Sequence, residues 1–214
     1  MNVALIGGTG FVGSALLDEL LARGHAVTAL ARQPAKYPAR PGLRVVAADV
    51  SDAAQVANAV AGQDVVLSAY NPGWGEADIY RLFTAGYEAI IAGLRTAGAP
   101  RLLAVGGAGS LEVAPGVQLV DSPEFPAEWK QGALAARDLL TRLRGEQGLD
   151  WTLISPPIAL APGERSGQYR TGGDQLLPGH GEAPAGISVA DLAVAIVDEI
   201  ERPAHRSRRF TVAN

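Results

Sequence analysis

Residues 3–13 read Val-Ala-Leu-Ile-Gly-Gly-Thr-Gly-Phe-Val-Gly. Val3 to Ile6 is too short and too uniformly apolar for a surface helix, and it stops at a glycine cluster, as a buried parallel strand does. Beyond the glycines, Ala15, Leu16, Leu17, Leu20 and Leu21 supply the apolar stripe of a helix that Gly24 closes. Between a strand and a helix, glycines at 7, 10 and 13 acquire a physical meaning. Gly7 and Gly10 permit a tight turn and close approach of the backbone to a pyrophosphate, while Gly13 lets the helix lie near the sheet. The helix start, with Thr9, Phe11 and Val12 around it, offers free N–H groups and a favourable dipole to phosphates. The stretch therefore reads as a dinucleotide-binding turn.

Outward from this turn, strands and helices alternate. Ala26 to Ala31 and Leu43 to Ala47 read as strands, joined by a proline-rich loop from Gln33 to Gly42. Asp52 caps a short helix that runs to Val60, and Asp64 to Ser68 is a fourth strand. A long helix from Ile79 to Ala97 precedes a strand at Arg101 to Val105. Gly106 to Pro126 is a long loop, which in a compact domain signals function or irregular structure. A helix from about Ala127 to Arg144 leads to a sixth strand, Trp151 to Ser155. This order predicts an α/β fold with a doubly wound parallel sheet. Residues 156–186 are rich in Gly, Pro and polar residues, with only Gln168 to Arg170 extended, and read as an irregular cap on the substrate side. A helix from Val189 to Glu201 and a strand at Arg209 to Val212 complete the chain, and residues 1–214 are expected to form a single domain.

Composition narrows the function. The chain carries 18 Lys and Arg against 22 Asp and Glu, a net charge of −4, and no tract that would neutralise a run of phosphates, so a nucleic-acid partner is not expected. The absence of cysteine excludes a disulfide scaffold, a thiolate nucleophile and a thiolate metal site. His25, His180 and His205 are scattered without ligand spacing, and no metal site is expected. Neither a signal-peptide pattern nor a membrane-length apolar run is present, and the expected setting is cytoplasmic, without a membrane partner. The oligomeric state is not legible.

Ligands of such sheets lie at the carboxyl ends of the strands. Where NAD-binding folds place an acid about 20 residues past the last glycine, to accept from the ribose 2′-hydroxyl, this chain has Arg32, with Lys36 following. A guanidinium there pairs with a 2′-phosphate, so NADPH is the expected cofactor. Asp49, followed by Val50, either meets the adenine amino group or begins the turn into the next helix. Ser68, Ala69 and Tyr70 end the fourth strand and Gly106, Gly107 and Ser110 follow the fifth. Ser155, Pro156 and Pro157 end the sixth and are expected to shape the nicotinamide pocket.

Several of these segments carry a likeness. GGTGFVG at 7–13, Asp49-Val50, VGGAGSL at 105–111, LDWTLISPP at 149–157 and GERSGQYRTGGDQLL at 163–177 are among them. With the ISVADLAVAIVDEIE helix from Ile187 and the RFTVAN end, the chain resembles the NADH-flavin reductase-like branch of the atypical short-chain dehydrogenases. That branch is similar to NmrA-like proteins and to flavin and biliverdin reductases. The resemblance implies an NADP-binding Rossmann domain that reduces flavins or related acceptors.

Ordinary short-chain dehydrogenases use a Tyr-x-x-x-Lys pair, whose lysine lowers the tyrosine pKa for proton transfer. Four residues beyond Tyr37, Tyr70, Tyr80, Tyr87 and Tyr169 stand Pro41, Trp74, Thr84, Ile91 and Gly173, so the pair is missing. Carbonyl reduction and sugar epimerisation or dehydration by the usual route are disfavoured. Hydride transfer to a flavin (FMN or FAD) or a quinone asks less of the protein, because the acceptor ring is already electrophilic and water can protonate it. Tyr70, Trp74, Phe125 and Trp129 fall in or beside the loops after the fourth and fifth strands, where they could wall such a ring or simply pack. Ser110 and Lys130 are the candidate catalytic residues, Lys130 also as a cofactor contact. Arg165 and Arg170 could bind an anionic acceptor group or be solvated surface charges. Two functions fit: an NADPH-dependent reductase, or a non-catalytic NADP-binding redox sensor of the NmrA-like kind.

Overall fold

A computed structural model describes residues 1–98, 101–179 and 184–214. In chain order the strands are β1 (Asn2–Ile6), β2 (Ala26–Ala31), β3 (Leu43–Ala47), β4 (Val65–Ser68), β5 (Arg101–Val105) and β6 (Glu112–Ala114). They continue as β7 (Val117–Gln118), β8 (Trp151–Ser155), β9 (Ala159–Ala161), β10 (Arg170–Gly172), β11 (Gly186–Ser188) and β12 (Arg208–Ala213). The α-helices are α1 (Phe11–Ala22), α2 (Ala53–Val60), α3 (Ile79–Thr96), α4 (Ala127–Arg144) and α5 (Val189–Glu201).

Eight strands form the main sheet in the order β10-β12-β8-β5-β4-β1-β2-β3. All pair in parallel except β10, which runs antiparallel to β12. The order reverses at β1, which pairs with both β2 and β4 and so opens a crevice at its carboxyl end. Successive residues of β1 serve opposite faces: Leu5 packs with Leu16, Leu20 and Ile196 of α1 and α5, and Ile6 with Ile90 and Leu140 of α3 and α4. Burial on both faces explains why these strands read as continuous apolar runs. Two helices begin on side-chain caps, α2 on Asp52, which accepts from Ala54 N and Gln55 N, and α5 on Ser188, which accepts from Asp191 N.

The parallel sheet and its helices follow the expected order. Residues 106–126 contain two 3-10 turns, at Ala108–Ser110 and Leu119–Asp121, and the β6–β7 hairpin. Residues 156–186 are more regular than expected. They contribute β9 and the start of β11, which pair with each other, and β10, which extends the main sheet through Thr171↔Val212. A three-residue edge strand has no periodicity of its own to read, because its partner lies about forty residues away. His180 lies outside the described residues.

Ion pairs tie the outer part of that segment to α1 and α5. Glu19, 6% exposed, accepts from Arg165 Nε at 2.8 Å and from Arg23 Nε at 2.7 Å. Arg23 also reaches Asp198 (2.6 Å) and Glu201 (2.9 Å), and Tyr169 donates to Asp198 at 2.6 Å. The Arg165 hydrogen bond, opposed by burial and reinforced by Arg23, holds the Glu19 carboxyl below the ordinary carboxylate range. A carboxyl with a depressed folded pKa adds stability above its unfolded pKa, and that stability is lost as pH falls through the folded value. Glu19→Gln is therefore expected to lower Tm by roughly 3–10 °C at pH 7. The gap between variant and parent should begin to narrow as pH falls below about 4 and go on narrowing as the parent carboxyl, held low, takes up its proton; melting curves from pH 7 to 3 check both.

Candidate functional site

The crevice is built around the turn from β1 into α1. Gly7 has φ +82, and a Cβ there would lie 2.6 Å from the Ala69 carbonyl oxygen after β4. A Cβ on Gly13 would come within 2.6 Å of the Gly7 carbonyl carbon and closer still to its oxygen. Both glycines are thus required by the fold itself. Gly10 differs: its φ is −79 and the one neighbour a Cβ would meet is Gly7 O at 3.3 Å. The space in front of Gly10 is open. Above it, α1 begins without a side-chain cap and without an acid in its first turn. The N–H groups of Phe11, Val12 and Gly13 have no intrahelical acceptor, and with the helix dipole they could receive a pyrophosphate; Thr9 is exposed beside them.

Tyr37, passed over in the proline-rich loop, belongs to this turn. Its ring packs among the apolar side chains beneath the loop, and its hydroxyl lies against Gly8 and its N–H, where a Cβ would meet it at 2.7 Å. Burial pushes the phenol pKa up, with that N–H opposing. The alternation of β2 gave no hint of it, because the contact depends on where a loop folds back.

Arg32 is exposed at the end of β2 and has no ion-pair partner among the described residues. Asp49 lies near enough for Arg32 to favour its charged form, although the larger causes are the N–H and Oγ of Ser51, which donate to it at 3.0 and 2.8 Å. That carboxylate is engaged in the turn into α2, the second of its two expected roles. Val50 packs against the α2–α3 side of the core.

At the end of β4 the side chains turn inward. Ser68 is fully buried and its hydroxyl donates to Tyr87 at 3.2 Å, so it offers the crevice no side chain. The Tyr70 ring lies on Gly86 of α3, between Phe83 and Tyr87 at centroid distances of 6.2 and 5.9 Å, and its hydroxyl donates to Leu82 O at 3.2 Å. Tyr70 is thus a packing ring rather than a free wall.

After β5, Gly106 lies on Leu153, where a Cβ would meet Cδ2 at 2.9 Å, and Gly107 is open. Ser110 is 3% exposed and Ser155 fully buried, and both hydroxyls face the Arg209 guanidinium, at 3.4 and 3.3 Å. Burial beneath the loop takes Ser110 out of the crevice as a catalytic group. Pro156 and Pro157 are buried directly after β8.

Lys130 is exposed on the first turn of α4, beside Trp129, which is 52% exposed. Trp74, 59% exposed, comes from the loop after β4 and lies on α4, where a Cβ on Gly132 would meet its ring at 2.6 Å. The structure therefore brings Trp74 and the first turns of α4 together, with Phe125 half-buried just before that helix. The two arginines are placed elsewhere. Arg165 is held on Glu19, and Arg170 donates to the Asn214 carbonyl at 3.1 Å and to that of Pro178. Bound in these pairs, neither is a free charge for an acceptor.

A sheet whose order reverses beside an open glycine and an uncapped helix start defines a dinucleotide-binding α/β protein. Residues 7–203 match the family described as NAD(P)H-binding, and the chain belongs to that family. It is 35% identical over 217 residues to the uncharacterized protein YwnB of Bacillus subtilis, covering 100% of this chain and 99% of that one. A presumptive epimerase of Bacteroides thetaiotaomicron superposes with a TM-score of 0.91 at 42% identity, over 99% of this chain and 96% of that one. A presumptive NADH-flavin reductase of Streptococcus pneumoniae superposes with a TM-score of 0.87 at 32% identity, over 100% and 99%. Among the described residues, no helix is long and apolar enough to cross a membrane.

Proposed function

We propose that the chain is a single-domain NADPH-dependent reductase whose acceptor is a flat ring of the flavin or quinone class. The observation that carries this reading is a pair of exposed tryptophans past the carboxyl ends of β4 and β5, Trp74 seated on α4 and Trp129 in the first turn of that helix. Phe11, Trp74, Val113, Val117, Trp129 and Ile158 are large, exposed hydrophobic residues, and all lie in segments that follow the carboxyl ends of β1, β4, β5 and β8. Exposed indoles suit an aromatic ring better than a sugar, and the missing Tyr-x-x-x-Lys pair removes the usual route to a carbonyl.

NADPH supplies the hydride when bound. The chain would hold it with the Gly7–Gly13 loop and the N–H groups of α1 at the pyrophosphate, and with Arg32 at the 2′-phosphate. The backbone of Gly106 and Gly107 and the rings of Pro156 and Pro157 would bound the nicotinamide end. Trp74 and Trp129 would orient the acceptor.

NADPH oxidation measured with FMN, FAD and a panel of quinones tests the proposal, and turnover with at least one acceptor is expected. Tight NADPH binding without turnover on any of them would instead support the redox-sensing reading. Trp74→Ala and Trp129→Ala should each raise the acceptor KM several-fold with kcat little changed, because stacking is felt in ground and transition states alike. Lys130→Ala should slow turnover by less than about tenfold, against the 10²–10⁴-fold of a lost general acid. A thousand-fold loss in a folded, NADPH-binding Lys130 variant would overturn the stacking mechanism.

A further inference from the structure

Beside β12, which three strands separate from β1 in the main sheet, and on the side where α4 ends, lies a cavity of about 440 Å³. Phe210 and Val212 pack toward α1 and α5, so Arg209 and Thr211 of β12 face the other way, toward the last residue of α4, Arg144. Arg144, His205, Ser207, Arg208, Arg209 and Asp174 line the cavity. Arg144 and Arg209 thus pair with the one carboxylate of this lining, and Arg208 and His205 line the cavity beside them, in a chain whose net charge is −4.

That carboxylate is fully engaged. Asp174 Oδ1 accepts from Arg209 Nε at 2.8 Å, from Arg209 Nη2, and from Arg144 Nη2 at 2.9 Å. Arg209, its side chain 2% exposed, spends its remaining donors on carbonyls and on the two serine hydroxyls at 3.3–3.4 Å. Glu112 is near enough to be felt at Arg209 but does not line the cavity. His205 Nδ1 is paired with Glu199 at 2.8 Å and its ring is stacked on Phe210. Arg208 is exposed and has no partner among the described residues. The turn that presents it is unusual: Ser207 is the one non-glycine residue with positive φ, at 54, among the described residues, and its N–H donates to Trp151 O at 2.7 Å. Such a backbone persists where the surroundings hold it, and it is found often at functional positions.

We propose that this cavity is a second anion site, independent of the cofactor crevice, for a small phosphate-class dianion: free phosphate or the phosphate group of a metabolite. Guanidinium forks match phosphate oxygens in pairs. Arg208 and the unused edge of Arg144 supply the open donors, and the ligand competes with Asp174 for the rest.

Calorimetric titration of the whole protein with inorganic phosphate, at ionic strength held constant with sodium chloride, tests the site. Saturable binding is expected, weakened by about tenfold or more in Arg208→Gln and abolished when Arg144→Gln is added. Asp174→Asn, which removes the competing carboxylate, should bind phosphate more tightly than the parent. If that variant fails to fold, the exposed Arg208 still decides the matter. Glycerol 3-phosphate run in parallel separates the sources: tighter binding than phosphate indicates a metabolite, equal binding the free ion. No heat beyond the chloride control, or affinity unchanged in the double arginine variant, overturns the proposal.

Discussion

Gly10→Val is expected to weaken NADPH binding by at least about 100-fold while moving Tm by only a few degrees. The backbone at Gly10 is already in a conformation that any residue adopts, and a Cβ there meets only Gly7 O at 3.3 Å. The protein leaves that space open, and a valine would fill the ground a pyrophosphate needs. A modest loss of stability follows from placing valine at the start of α1, where glycine is the better cap. Gly13 provides the opposite case. Its Cβ would collide with the Gly7 carbonyl, so Gly13→Val should cost about 1–3 kcal/mol or more, and Tm should fall by roughly 2–4 °C for each of them. Fluorescence titration with NADPH and thermal melts on both variants check the contrast. Normal NADPH binding by folded Gly10→Val would place the phosphates elsewhere.

Arg32→Ala should erase most of a preference for NADPH over NADH. A charge-assisted pair with a 2′-phosphate contributes about 1.5–3 kcal/mol, or roughly 10–150-fold in affinity. Arg32 has no other ion-pair partner to leave behind among the described residues, so the variant should fold as the parent does. Dissociation constants for both cofactors, measured in parent and variant, decide it. Equal affinities in the parent would sink the assignment to NADPH.

The sheet was legible because its strands are buried on both faces and its helices carry apolar stripes; Val3 to Ile6 and the glycines after it predict β1, the turn and α1 almost residue for residue. The loops were legible only as positions. Ser110 and Ser68 stand where a crevice residue should, yet their side chains turn into the protein, toward Arg209 and Tyr87. Nothing in a single sequence fixes that direction, since it depends on which distant side chain is waiting. The same holds for Arg165 and Arg170, whose partners Glu19 and Asn214 lie far along the chain, and for Tyr37 beneath Gly8.

The loop after β4 ends in two aromatic rings seated in glycine sockets on neighbouring helices, Tyr70 on Gly86 of α3 and Trp74 on Gly132 of α4. For anyone diversifying this scaffold toward new acceptors, those sockets divide the mouth of the crevice into parts to vary and parts to keep. Trp129, Val113, Val117 and Ile158 stand free and can be randomised. Gly86 and Gly132 look from the sequence like weak points in their helices, inviting alanine as a stabiliser. A library that accepts that invitation would unseat both rings at once and lose the shape it set out to redesign.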